Sequence, residues 1–389
     1  MEYNFDEIRC YNNDEVHDVL VRLTDVKQFM KLLSTIYPLM PKDVLKQRLL
    51  GFNDSYTFQK EIIYPFLQYL EANMTKGIEL NGVERIDKAK SYLFISNHRD
   101  IILDSAFLCG KLIEKDMDTV EIAIGDNLLI FPWIEDLVRV NKSFIVKRGL
   151  GARQILESSK RLAAYIAYTL NEKKQSIWIA QREGRAKDSN DRTQESLLKM
   201  FNMHGKGSFV ENMEALNICP LSISYEYDPC DFLKAKEMQQ RRDNPGFKKS
   251  QEDDLLNMQI GVMGYKGKVI YEVTGVINRE LRRIEMETSN RGEQITMVAE
   301  LIDKRIHSNY RIFSNNKIAY DLLREENRFE NEYTSSEKAD FERYLAFQID
   351  KISMENKDFK YLRMKLLQMY ANPLVNKLET YPDLSEGGE

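Results

Sequence analysis

Apolar residues near the start of the chain recur at helical spacing. Val16, Leu20, Leu23, Val26 and Phe29 form one stripe, and Leu32, Leu33 and Ile36 continue it. Tyr37-Pro38 and Met40-Pro41 break the pattern. Further helices are predicted over 42–51 and 56–73, so residues 1–77 read as an N-terminal helical domain. After residue 77 short apolar runs alternate with amphipathic stretches. The runs lie at 78–80, 92–95, 120–124, 144–146, 177–179 and 218–224; the stretches lie near 101–115, 128–139 and 151–171. Ile155, Leu156, Leu162, Ala163, Ile166 and Leu170 share one side of the last stretch. Such alternation indicates βαβ units. The expected class is α/β, a mainly parallel central sheet flanked by helices, with helical segments at both ends of the chain. The α/β domain is placed at 78–290 and a C-terminal helical segment at 291–389. Val269, Tyr271 and Val273 suggest one more strand, with 275–277 as its continuation. The polar, lysine-rich stretch 231–260 reads as a surface excursion, and the tail at 385–389 as frayed.

Composition narrows the function. Of 389 residues, 43% are hydrophobic, enough for a sizeable core, and 30% are charged. A net charge of −5 argues against a nucleic-acid binder, whose domain would be basic overall. The four cysteines (Cys10, Cys109, Cys219, Cys230) stand far apart with no CxxC pair, so neither a zinc knuckle nor a redox motif is supported. With an acidic, polar N-terminus that lacks an apolar signal region, they fit a reducing cytoplasm. No run of about 18 apolar residues suggests a transmembrane helix. Any membrane contact would therefore come from the side.

In a parallel sheet, sites gather beyond the carboxyl ends of strands. Three strand ends here are charged. The first is Ser96-Asn97-His98-Arg99-Asp100-Ile101-Ile102-Leu103-Asp104, between a strand and a helix. Histidine is the natural base near neutral pH, and a carboxylate in the next turn can fix its tautomer. Asp100 and Asp104 both qualify, although Asp100 also stands where a helix N-cap belongs. The second is Phe144-Ile145-Val146-Lys147-Arg148-Gly149, where a strand runs into two cations before a helix, an arrangement suited to phosphate. The third is Ile177-Trp178-Ile179-Ala180-Gln181-Arg182-Glu183-Gly184-Arg185-Ala186-Lys187-Asp188. Its Arg182, Arg185 and Lys187 suit an anion, and Gly184 permits close backbone approach. A fourth segment, Ile218-Cys219-Pro220-Leu221-Ser222-Ile223-Ser224-Tyr225, is an apolar strand whose proline predicts an edge or a bulge. Taken singly, a capping aspartate, a basic turn and a solvated loop explain the first three without any chemistry.

In this order the four segments resemble the four motif blocks of the glycerol-phosphate acyltransferase family, which includes lysophosphatidic acid acyltransferases. The resemblance covers about 90–225. The family's blocks are Asn-His with four residues before Asp, Phe-Ile-x-Arg, Phe-Pro-Glu-Gly-x-Arg, and a short apolar strand carrying proline. The resemblance implies His98 as catalytic base, with Asp104 as its partner and Asp100 as a rival. It implies that Lys147 and Arg148 hold the acceptor's phosphate, that Glu183, Gly184 and Arg185 match the third block, and that Pro220 shapes the acyl-donor side. Arg182 joins the anion-binding set. Five residues separate His98 from Asp104 here, the Glu183–Arg185 interval is one residue short, and Gln181-Arg182 replaces Phe-Pro.

The function so implied is O-acyl transfer from acyl-CoA or acyl carrier protein to a hydroxyl of glycerol 3-phosphate or 1-acyl-glycerol 3-phosphate in phospholipid biosynthesis. No metal or cofactor is implied beyond the acyl thioester as co-substrate, and nucleic acid is not among the expected partners. A lipid product implies a peripheral contact with the inner face of the membrane. Phe131-Pro132-Trp133-Ile134 is a candidate for that contact, with core packing as the simpler explanation. Competing readings are another lyso-lipid acceptor, a non-catalytic lipid or carrier-protein binding module, and a phosphotransferase suggested by His98-Arg99-Asp100. The last needs an asparagine five residues past its aspartate, and position 105 is serine.

Overall fold

Residues 3–380 are described in the structure, a computed structural model; the tail at 385–389 lies outside the described residues. The N-terminal helices are α1 (Asn13–Asp25), α2 (Lys27–Ile36), α3 (Lys42–Leu49) and α4 (Ser55–Phe58); one π-helical turn (Gln59–Ile63) leads into α5 (Tyr64–Met74). The stripe expected to make one helix from 16 to 36 makes two, because Val26 adopts an extended conformation. Val16, Leu20 and Leu23 are buried, and so are Phe29 and Leu33. Phe29 would sit roughly 240° round a continuous helix from Leu23, on the wrong face. The break turns α2 so that both apolar faces enter one core.

The central segment alternates as its pattern predicts. It runs β1 (Ile78–Asn81), β2 (Leu93–Ser96), α6 (Leu103–Glu114), β3 (Glu121–Gly125), α7 (Pro132–Val140), β4 (Ser143–Val146), α8 (Ala152–Asn171) and β5 (Ile177–Ala180). It continues through α9 (Glu195–Phe201), α10 (Phe209–Glu214), β6 (Ile218–Tyr225), α11 (Asp231–Asp243), α12 (Gln251–Met263), β7 (Val269–Val273) and α13 (Asn278–Glu287). The last helices are α14 (Arg291–Ser308), α15 (Ser314–Arg324), α16 (Ser335–Asp350) and α17 (Phe359–Glu379).

The fold class is α/β. Seven strands form one sheet in the order β1-β7-β6-β2-β5-β3-β4. Strands β2 to β6 run parallel, β7 is antiparallel to β6, and β1 follows the direction of β7. The carboxyl ends of β2, β4 and β5 therefore share one rim. One face of the sheet is covered by α8, α9, α13 and α14, and the other by α5 and α6. Helices α15 to α17 build a separate core with Ala235 of α11, so the helices after 290 divide between two cores. The outer edge of β4 is shielded by the amino-terminal segment, where the Ile145 N–H donates to the carbonyl of Ile8 at 2.8 Å. No helix among the described residues is long and apolar enough to cross a membrane.

The 231–260 stretch departs from expectation. It forms α11 and much of α12, and Lys234, Glu237, Gln239 and Asn257 are buried. Each has a partner. The Lys234 ammonium donates to the carbonyl of Arg99 at 3.2 Å and to Asp228, and Glu237 lies 3.0 Å from both Lys187 and Arg241. A polar sequence can be interior when every buried group is paired.

Candidate active site

Strand β2 ends at Ser96, and the chain then turns before α6. Asn97 continues the ladder with its side chain: its amide donates to the Ile223 carbonyl and accepts from the Ile223 N–H, both at 2.8 Å. This pins the next residue, His98, at the sheet rim. The His98 Nδ1 lies 2.8 Å from Asp104 Oδ2. The same oxygen accepts the N–H groups of Arg99 at 2.6 Å and Asp100 at 3.0 Å. Asp104 is fully buried, and 15% of the His98 side chain is exposed. One edge of the imidazole is thus anchored, and Nε2 has no protein partner among the described residues. The Trp178 ring meets the imidazole edge-to-face with centroids 5.5 Å apart.

The two aspartates divide the work of the turn. Asp100 Oδ1 accepts the N–H groups of Ile102 at 2.9 Å and Leu103 at 2.8 Å, capping the entry to α6. Burial, reinforced by nearby Asp104, pushes the Asp100 carboxyl up from its ordinary value. Its Oδ2 faces α12 at Gly261, where a Cβ would stand 2.2 Å away, so only glycine allows this approach. Of the rivals, Asp104 touches His98 and Asp100 does not. The fifth intervening residue is taken up in the turn 101–102 before the helix begins.

His98 lines a cleft of about 1620 Å³ together with Lys147, Arg148, Arg182, Glu183, Gly184, Arg185 and Lys187. The three charged strand ends thus meet in one space. Arg148 holds its place through its N–H, which donates to Asp126 Oδ1 at 3.1 Å, and through Glu183 at 3.7 Å. Arg185 is 7% exposed; its Nη2 donates to Asn257 of α12 at 3.1 Å while Nη1 has no partner. The Arg182 Nε is likewise buried and unpartnered. Burial, with the charge of Arg185, lowers the Lys187 pKa to about 8. Gly184 has a φ of +68°, the left-handed turn that glycine takes without strain, but nothing lies within 4 Å of where its Cβ would be.

Pro220 stands apart. Strand β6 is interior, between β2 and β7, so the edge expected for the proline is not found. The proline instead faces the point where β7 leaves the ladder. Its carbonyl accepts from Thr274 N–H at 3.1 Å, and β7 pairing ends one residue earlier, at Leu221–Val273. The missing N–H thus costs no pairing with β2, and Pro220 does not line the cleft. Trp133 packs on Phe29 with ring centroids 6.3 Å apart and lines the cleft, whereas Phe131 is half exposed.

Several site residues were not legible from the sequence. The Arg99 guanidinium, buried at 6% exposure, pairs with Asp191 at 2.7 Å above the Tyr310 ring, tying the histidine turn to the loop after β5. Nothing in the local sequence marks Asp191 or Asn257. Trp178 had a signal, because strand alternation puts it on the same face as the residues beneath His98. No cysteine is set up as a nucleophile: Cys109 lines the cleft, but burial pushes its thiol up to about 11. The other histidines lie outside the cleft; His204 and His307 bond the carbonyls of Asn212 and Asp191 at 2.9 Å each.

No curated protein matches the chain with significance. Among solved structures, the 1-acyl-sn-glycerophosphate (LPA) acyltransferase PlsC from Thermotoga maritima aligns over 75% of this chain and 92% of its own, at 12% identity and a TM-score of 0.36. The family model described as Acyltransferase matches residues 77–224. That segment contains the histidine turn and both cationic loops, and it is this part of the chain that is similar to the acyltransferase family.

Proposed function

We propose that the protein transfers a fatty acyl group from acyl-CoA or acyl carrier protein to a hydroxyl of glycerol 3-phosphate or 1-acyl-glycerol 3-phosphate, serving phospholipid biosynthesis. The supporting observation is the anchored imidazole, 2.8 Å from buried Asp104, on the same cleft as Arg148 and Arg185. Asp104 fixes Nδ1 as the protonated nitrogen, which leaves Nε2 as the base. Nε2 removes the acceptor's hydroxyl proton as the oxygen attacks the thioester carbonyl carbon. The tetrahedral oxyanion collapses, the C–S bond breaks, and the departing thiolate takes the proton back from His98. The ester and the free thiol leave, and no acyl-enzyme forms.

Lys147, Arg148, Arg182 and Arg185 hold the acceptor's phosphate, with Glu183 orienting Arg148 and the Gly184 turn presenting Arg185. Pro220 acts through the sheet, by fixing β6 behind Asn97. The acyl donor is the co-substrate and no further cofactor enters the step. We place the enzyme in the cytoplasm, peripheral at the inner face of the membrane, with half-exposed Phe131, Ile155 and Leu156 as the contact.

The test is a panel of both donor types against phosphorylated and unphosphorylated acceptors, read by product mass. His98→Ala should lower turnover by roughly 10²–10⁴ while unfolding at the wild-type temperature. Transfer retained by that variant would refute the assignment, and binding of donor without any product would favour the non-catalytic module.

A further inference from the structure

Helix α12 differs from the sequence around it. Residues 255–265 carry no charge, although the stretch that contains them is rich in lysine. Leu255, Met258, Gln259, Val262 and Met263 recur at i, i+3, i+4, i+7 and i+8, which puts them on one helical face. All five line the cleft, as do Tyr69 of the neighbouring α5 and Ile102 of the histidine turn. Leu255, Met263, Tyr69 and Ile102 are also exposed, so the edge of the cleft here is apolar and reaches the surface. The helix is lightly seated. Its buried residues are Asn257 and Gly261, and each rests on the site. The Asn257 side chain accepts from Arg185 Nη2 at 3.1 Å, and its backbone carbonyl accepts from the Cys230 thiol at 3.3 Å. Gly261 lies against Asp100, where a Cβ would stand 2.2 Å from Oδ2. The two ends of the helix are held differently. At the carboxyl end, fully buried Lys266 donates from its ammonium to the carbonyls of Val262 at 3.2 Å and Gly264 at 2.6 Å. Its backbone N–H donates to Met74, the last residue of α5, at 2.9 Å. At the amino end the helix follows 244–250, where Asn244, Pro245, Gly246, Lys248 and Ser250 are exposed.

We infer that α12 is a gate on the cleft, latched by Asn257. It swings about its carboxyl end to admit a lipid chain from the side, between α12 and α5. Its return brings Asn257 back to Arg185 and aims that guanidinium at the acceptor's phosphate. Asn257 is thus a positioning residue supplied from outside the segment that matches the family model, and Gly261 is what lets the gate close on Asp100. Closure of this kind couples entry of the substrate to assembly of the site that binds it. The role given to Arg185 rests on the acyl-transfer reading above; the swing of α12 does not.

Hydrogen exchange read by mass spectrometry on the full-length protein follows the gate, with α6 as internal reference. In the free wild type the amides of 255–263 should exchange at least about tenfold faster than those of α6. Hexadecanoyl-glycerol 3-phosphate, kept below its micelle threshold, should slow them by about fivefold or more, and glycerol 3-phosphate by less. Asn257→Ala opens the latch. Gly261→Ala props the helix off Asp100, although alanine suits a helix better than glycine. Each should speed exchange at 255–263 and raise the KM for the phosphorylated acceptor by about tenfold. The donor KM and the turnover at saturation should stay within about threefold. Adding Asp100→Ser to Gly261→Ala keeps a hydroxyl to cap α6, removes Oδ2 and should recover most of the lost acceptor affinity. If Gly261→Ala does not fold, Asn257→Ala decides alone. Free α12 that exchanges as slowly as α6 would overturn the gate. So would an Asn257→Ala protein with unchanged exchange or an unchanged acceptor KM. Protection of α12 by the lipid without transfer to any acceptor would uphold the gate and refute the acyl-transfer reading. Transfer with α12 left unprotected would do the reverse.

Discussion

The two loops that face each other across the cleft are held by contacts of different range. In the histidine turn the bonds that set the dyad lie within residues 98–104: Asp104 receives the His98 ring and two N–H groups, and Asp100 caps the helix entry, while Asn97 and Arg99 add longer ties to Ile223 and Asp191. In the loop after β5 the anchors come from far along the chain. The Glu183 N–H donates to Gln194 at 2.8 Å, Arg185 bonds Asn257, and Lys187 pairs with Glu237. Asn257 and Glu237 belong to α12 and α11, outside the segment that matches the family. A locally tied dyad absorbs an inserted residue without losing its geometry. A cationic wall buttressed by later helices changes whenever those helices change. Acceptor recognition is therefore the part of this protein free to diverge, and the base is not.

The sharpest break of that comparison is within the histidine turn itself. Asp104→Asn puts an amide against Nδ1 and favours the wrong tautomer, so turnover should fall by roughly 10²–10⁴ at saturating substrates. Asp100→Asn keeps a carbonyl to cap Ile102 and Leu103, and its turnover should stay within about tenfold of wild type. Because asparagine caps about as well as aspartate, its melting temperature should also stay close to that of the wild type. Equal losses of turnover in the two variants would dissolve the division of labour between the aspartates.

The wall should respond differently. Arg185→Met removes a charge with a free Nη1 and leaves Asn257 without its guanidinium partner. Charge-assisted hydrogen bonds contribute about 1.5–3 kcal/mol, so the acceptor KM should rise by roughly 10–150-fold. Turnover at saturation should change much less, because Arg185 bonds Asn257 and neither member of the dyad. A fall in turnover with an unchanged KM would assign Arg185 to the developing oxyanion in place of the phosphate.

The same difference in range explains what the sequence reveals. The parallel strands, the helices between them and the charged strand ends are short-range patterns, and they are legible because apolar alternation and strand-end position are local. The His98–Asp104 spacing is legible for the same reason, although only coordinates separate Asp104 from Asp100. Helices α11 and α12 were misread because their lysines and glutamates look solvated until Asp228, Lys187 and Arg99 are brought beside them. The break at Val26 carries no proline or glycine; its only trace is the shift of phase between Leu23 and Phe29. Pro220 suggests an edge or a bulge; the strand is interior, and the neighbouring strand departs at that residue.

The smallest expected effect concerns the charge state of the wall. Lys187 titrates near 8 because burial and Arg185 both disfavour its ammonium, with Glu237 opposing them. Below that pH it is protonated and adds to the attraction for a phosphate; above it the attraction is lost. The phosphate's own second ionisation lies near 6, so its charge is constant across this range. The kcat/KM for a phosphorylated acceptor, which reports the free enzyme, should therefore fall by roughly two- to fivefold as pH rises through about 8. Lys187→Met should remove this alkaline limb and leave the acid limb untouched, with Glu237 still paired to Arg241 at 3.0 Å. If the variant keeps the limb, the titrating group is not in the wall, and the cations after β5 act on the acceptor as a field of fixed charge.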